Sequence, residues 1–211
     1  MRKTILLALL LATSLLSKAQ HPGYAPVADI AKFKTDFSAA IQKTSSIKSD
    51  FVQEKNLSML SEKITSKGKF WFKKESQVRM EYSQPYQYLM ILNKDKVFVK
   101  DGKSENKIST KSNKLFQQIN KIMIDCMQGT ALNNTDFKTV VFENKSAALI
   151  ELTPIAKGLK EMFKTIIVVI DKKDFSVSSI SMQEVSGDST VLKFINKELN
   201  ASIADALFAI K

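Results

Sequence analysis

The chain has 211 residues, 44% of them hydrophobic, with 32 Lys+Arg against 21 Asp+Glu, one cysteine and one histidine. One cysteine excludes an internal disulfide, and a lone His with a lone Cys assembles no metal site. The net charge of +11 is spread along strand-like runs (Lys94, Lys96, Lys100, Lys103), as on solvated faces. It implies a general attraction to anionic lipid surfaces or acidic proteins, not a nucleic-acid site.

Arg2 and Lys3 precede an apolar run from Ile5 to Leu16, and Ser17-Lys18-Ala19 follows with small residues where a signal peptidase cuts. Twelve apolar residues fall short of the ~20 that span a bilayer. Residues 1–19 therefore read as a cleavable signal peptide with Gln20 as the mature N-terminus, and the expected destination is the periplasm. Residues 20–211 are expected to form one domain, with 29 basic against 21 acidic residues once Arg2, Lys3 and Lys18 are gone. His21 would lie at a frayed terminus.

Pro22, Gly23 and Pro26 mark a loose lead-in. From Ala28, the spacing of Ile30, Phe33, Phe37 and Ile41 predicts an amphipathic helix. Ile47–Lys55 alternates, with Ser49, Phe51 and Gln53 on one face. In Lys63–Lys73, Ile64, Ser66, Gly68, Phe70 and Phe72 oppose Thr65, Lys67, Lys69, Trp71 and Lys73. Val78–Tyr82 sets Val78, Met80 and Tyr82 against Arg79 and Glu81, and Pro85 ends that strand. Tyr88–Leu92 is apolar on both faces. Turns at Asn93-Lys94-Asp95 and Asp101-Gly102 bracket Val97–Lys100, so these five strands form a meander.

A second helix is expected between Lys111 and Met127, with Leu115, Ile119, Ile122, Met123 and Cys126 on one face and Gly129 as its stop. Cys126 reads as packing, not as a nucleophile. Strands follow at Phe137–Glu143, Ala147–Thr153, Phe163–Asp171, Val177–Val185 and Thr190–Leu199, with Pro154–Lys160 as a loop and turns at Asp171–Asp174 and Ser186–Asp188. The fold class is mainly β (α+β). About ten antiparallel strands curl around helices that bury their stripes on the concave side. Phe and Met in that gap suit soft apolar ligands, although the same residues build an ordinary core.

Phe51-Val-Gln53, Gly68-Lys-Phe-Trp-Phe-Lys-Lys74, Val78-Arg-Met-Glu-Tyr82, Gln84-Pro85 and the strand ending at Asn93 resemble, in order and spacing, the periplasmic outer-membrane lipoprotein carriers of the LolA family. Asp205-Ala-Leu-Phe208 is similar to that family's last strand. The resemblance implies an unclosed half-barrel whose helices cap an apolar cavity. Its cargo would be acylated lipoproteins, its donor an inner-membrane ABC-type release complex, and its acceptor an outer-membrane receptor. It implies no cofactor and no catalytic residue, and a shuttle works most simply as a monomer. Phe70, Phe72, Val78, Met80, Tyr82 and Met90 would line the sheet side, and Ile119 and Met123 the helix side. The family carries an Arg, followed by Pro, that latches the lid helices through their backbone carbonyls. Here Lys74 stands at that position and Glu75 replaces the Pro, so a point charge takes the place of a planar fork.

Two other readings stand beside the carrier. One is a shuttle or sensor of the same fold for another acylated molecule, such as a glycolipid or acyl pigment. The other is a hydrolase. The chain has no Gly-x-Ser-x-Gly elbow, so a hydrolase would need carboxylates such as Glu81, Asp101 and Glu151 to meet in space.

Overall fold

The computed structural model describes residues 21–74, 76–94, 96–102, 104–109 and 114–210; the side chains of 104–109, 114–117, 119 and 120 fall outside that description. The expected signal peptide, Gln20, Glu75, Asp95, Lys103 and Lys111 also lie outside it. Among the described residues no helix is long and apolar enough to cross a membrane.

The elements in chain order are β1 (Ala25–Pro26), α1 (Ile30–Lys43), β2 (Ser46–Leu57), β3 (Glu62–Lys73), β4 (Gln77–Gln84), β5 (Tyr88–Asn93), β6 (Lys96–Asp101) and β7 (Ser104–Ser109). After α2 (Lys114–Gln128) and a 3-10 turn at Thr130–Asn133 come β8 (Phe137–Glu143), β9 (Ala147–Pro154), α3 (Lys157–Lys160), β10 (Phe163–Asp171), β11 (Val177–Glu184), β12 (Ser189–Leu199) and a 3-10 turn at Asp205–Phe208. All twelve strands form one antiparallel sheet in the order β1-β8-β9-β10-β11-β12-β2-β3-β4-β5-β6-β7. β1 and β7 end that order without pairing to each other, so the half-barrel is open. Consecutive strands are neighbours except where β12 returns to β2 and β1 pairs with β8. The meander is as the turn chemistry predicts.

Local sequence accounts for the helices. Asp29 caps α1 by accepting from the Lys32 N–H at 2.8 Å, and α1 buries Phe33, Phe37 and Ile41. Gly129 ends α2 with φ +73, and a Cβ there would lie 3.2 Å or less from Ile41 and Phe37. One glycine thus stops α2 and lets it close on α1.

Four expectations change. The sheet has twelve strands, not about ten, because the two-residue β1 and the polar Ser104-Glu-Asn-Lys-Ile-Ser109 strand carry little periodic signal. Pro154–Lys160 includes the one-turn helix α3. Asp205–Phe208 is a 3-10 turn, not a closing strand: its carbonyls bond to side chains and Phe208 is fully buried. His21 is docked, not frayed. Its Nε2 lies 2.6 Å from Glu151 Oε2 and its ring packs edge-on to Phe142 at 4.8 Å.

Candidate functional site

Strand register lays the inner face of the sheet out in rows across β2 to β6. Ile47, Phe72, Val78, Leu92 and Val97 pair in turn, and so do Ser49, Phe70, Met80, Met90 and Val99. α1 and α2 lie over these rows. Phe33, Phe37, Ile41, Ile122, Met123, Cys126 and Met127 belong to the same apolar cluster as the rows beneath. Phe70 and Val78 are fully buried, so side chains of the protein itself fill the gap between sheet and helices.

The next row toward the β2–β3 turn is Phe51, Gly68, Tyr82, Tyr88 and Asp101. A Cβ on Gly68 would fall 2.0 Å from the Glu81 carbonyl oxygen and 2.8 Å from Phe51 Cε1. The Phe51 ring occupies the space a side chain would need, and it meets the Tyr82 ring at 4.8 Å, which in turn meets Tyr88 at 5.4 Å. The Tyr82 hydroxyl donates to Gln53 Oε1 at 2.9 Å. Burial pushes the Tyr82 and Tyr88 phenols and the Cys126 thiol up from their ordinary values. A thiol held protonated is a packing group, not a nucleophile.

A slot of ≈ 300 Å³ opens beside the apolar rows, lined by Ile41, Gln42, Phe72, Lys74, Met127 and Gln128. It sits where β3 and both helices end. Lys74 Nζ donates to the Gln42 carbonyl at 2.5 Å, in the last turn of α1. Gln128 Nε2 donates to Ser76 Oγ at 3.4 Å and fastens the end of α2. The slot has an apolar floor and a polar rim, and its size lies at the low end for small-molecule sites.

Of the expected lining residues, Phe70, Phe72, Val78, Met80, Tyr82 and Met90 share the inner face and Met123 faces them from α2. The Ile119 side chain lies outside the described residues. Ile41 and Gln53 were legible as face residues but not as neighbours of a slot or a tyrosine hydroxyl, and Met127 was legible only as the end of its helix. Gln42 contributes a carbonyl, which sequence does not single out. The three carboxylates do not meet: Glu151 on β9 bonds His21, Glu81 pairs with Arg79, and five strands separate β9 from β4. Among the described residues no His, Cys, Asp or Glu group is arranged as metal ligands.

The opposite face of β3 to β6 differs. Trp71, Ile91 and Phe98 pack against Ile203, Leu207, Phe208 and Ile210 of the C-terminal segment. The Arg79 guanidinium lies 5.9 Å from the centre of the Trp71 ring and donates to the Leu207 carbonyl at 2.9 Å.

An open half-barrel roofed by two helices is the architecture that the sequence resemblance implies. The family model for the outer membrane lipoprotein carrier protein LolA matches residues 42–211. The chain belongs to the LolA family. Among solved structures similar to this LolA-family chain is MucB, at 13% identity with TM-score 0.50, over 86% of this chain and 62% of that one. A LolA superfamily protein from Nitrosomonas europaea aligns at 12% identity with TM-score 0.49, over 87% and 99%. Lipoprotein LppX from Mycobacterium tuberculosis aligns at 12% with TM-score 0.44, over 82% and 96%. A search of curated proteins finds no match.

Proposed function

We propose that this chain is a periplasmic carrier that takes the acyl chains of lipoproteins between its sheet and its helices and moves them from the inner to the outer membrane. The observation that carries this reading is the pair of rows, apolar except for Ser49, roofed by two amphipathic helices that among the described residues are fastened beside the slot by the polar contacts of Lys74 and Gln128. Each CH₂ kept from water is worth about 0.8 kcal/mol, so an acyl chain crosses an aqueous space only inside a dry cover. The slot is the starting gap, and lifting α1 and α2 exchanges protein side chains for acyl chains on the same rows. Lys74 serves as the latch. Its ammonium makes a point contact with one carbonyl, which holds α1 less firmly than a forked guanidinium would. Carrying acyl chains calls for no catalytic residue, cofactor or metal. The inner-membrane ABC-type complex and the outer-membrane receptor are the donor and acceptor such a carrier requires.

The test is mass spectrometry of whatever co-purifies with the protein from its own periplasm under non-denaturing conditions, followed by binding of a synthetic acylated lipopeptide. Recovery of a lipoprotein or lipopeptide is the expected result. A different acylated molecule would move the chain to a shuttle for that cargo. Failure both to recover a ligand and to bind added lipopeptide would overturn the carrier reading.

A further inference from the structure

Seven large apolar side chains stand exposed among the described residues, and five of them sit at one end of the sheet: Met59, Leu60, Tyr86, Ile155 and Val185. The register brings their loops together. Ser189 pairs with Asn56, Gln84 with Lys67 and Phe163 with Glu184, so the β2–β3, β4–β5, β9–β10 and β11–β12 connections share that end. We propose that this rim seats the protein on a lipid bilayer, with the loop tips inserted among the lipids.

The β2–β3 hairpin is the principal prong. β4 pairs with β3 only as far as Lys67, so Glu62–Ser66 run on beyond β4, about 17 Å at the rise of a strand. At its apex Met59 is 91% and Leu60 68% exposed. The prong is braced: Asp188 Oδ1 accepts from the Ser58 N–H at 2.9 Å and from its hydroxyl at 3.1 Å. That clip holds the apex beside Val185. Tyr86, 77% exposed, supplies the amphipathic ring that favours the headgroup level of a membrane.

Two features choose a bilayer over a protein partner. The apolar residues are separate tips on four loops, divided by polar residues, whereas a protein interface needs a continuous packed core. The four loops are also balanced in charge, with Lys157 and Lys160 against Glu161 and Asp188, and beside the prong Glu54 lies 2.8 Å from Lys63 and 4.0 Å from Lys193. The attraction is therefore apolar insertion, not the pull of the net positive charge on anionic lipid. This goes beyond the cargo reading, since a carrier can hold acyl chains without touching a membrane.

The experiment is flotation of the purified chain with phosphatidylcholine vesicles, alongside Met59→Ser/Leu60→Ser and, as an exposed control away from the rim, Ile195→Ser. The wild type and the control should float with neutral vesicles to the same extent at low and high salt. The double variant should lose about tenfold or more of its bound fraction. A wild type that ignores neutral vesicles would overturn the proposal. So would a double variant that binds as well as the wild type, or binding confined to anionic vesicles and abolished by salt. A double variant that loses self-association, with vesicle binding absent throughout, would make the rim a contact between copies. Lipopeptide retention by the double variant separates the two ideas: it should stay unchanged whether or not vesicle binding falls.

Discussion

The two faces of β3 to β6 are built from alternate residues of the same strands, yet they are covered in opposite ways. On the inner face, α1 and α2 rest on apolar rows and are fastened beside the slot by the single contacts of Lys74 and Gln128. On the outer face, the C-terminal segment is pinned repeatedly. The Ser46 hydroxyl donates to the Ala201 carbonyl at 2.6 Å, Arg79 to Leu207 and Asn93 Nδ2 to Phe208 at 3.0 Å, while Lys73 pairs with Asp205. Apolar packing is non-directional and tolerates exchange of one hydrocarbon for another, whereas a run of backbone-to-side-chain bonds fixes one arrangement. In the proposed carrier cycle the inner cover lifts while the outer one holds the strands in shape.

Phe72→Glu should break the inner side most severely. It sets a carboxylate into the apolar rows and should cut lipopeptide retention about a hundredfold or more. Retention is to be compared on protein shown to be folded by circular dichroism. Unchanged retention would remove this strand from the cargo surface. Phe208→Ala should break the outer side, costing about 3–5 kcal/mol in urea unfolding. Lipopeptide affinity per folded molecule should stay the same, and a parallel loss would mean the faces are not independent.

Much of this contrast was legible in the sequence. Period-2 alternation sorted Phe70, Phe72, Val78 and Met80 from Trp71, Arg79 and Glu81, and period-3.6 spacing found both helices. What lay over each face was not legible, because it depends on contacts far apart in sequence. Arg79 meets Leu207 across 128 residues, and a four-residue segment such as Asp205–Phe208 is too short to reveal whether it extends a sheet or braces one. Lys74 could be located only through the family resemblance, since its partner is a backbone carbonyl. The slot arises where three elements end, and no local pattern encodes that meeting.

Smaller effects sharpen the comparison. Lys74→Ala should release about 0.5–1.5 kcal/mol of local stability, read as faster amide exchange in the last turn of α1 with the β3 amides unaffected. Lys74→Arg should slow that exchange if the fork reaches a second carbonyl. Equal exchange in all three proteins would show that the contact holds nothing.

Tyr82→Phe tests the buried phenols through pH. Tyr82, Tyr88 and Cys126 have raised pKa values in the folded chain, against ordinary values of 10.0 for Tyr and 9.0 for Cys. Above those ordinary values the unfolded chain loses protons that the folded chain keeps, so stability present at neutral pH falls as pH rises. Urea midpoints from about pH 8 to about pH 11 should fall less steeply for Tyr82→Phe than for the wild type. Identical slopes would mean that this hydroxyl ionises as freely in the folded protein as in the unfolded one.

The free ends of the sheet at β1 and β7 carry a mechanical consequence. A closed barrel has its bore set by strand number and shear, and widening it means breaking a seam of ladder bonds. Here the seam does not exist among the described strands. The sheet can unroll by changing its twist from strand to strand while every backbone pair stays intact. Girth then becomes an elastic variable, and under the proposed carrier function cargoes of different thickness would fit one sequence without a new set of contacts for each.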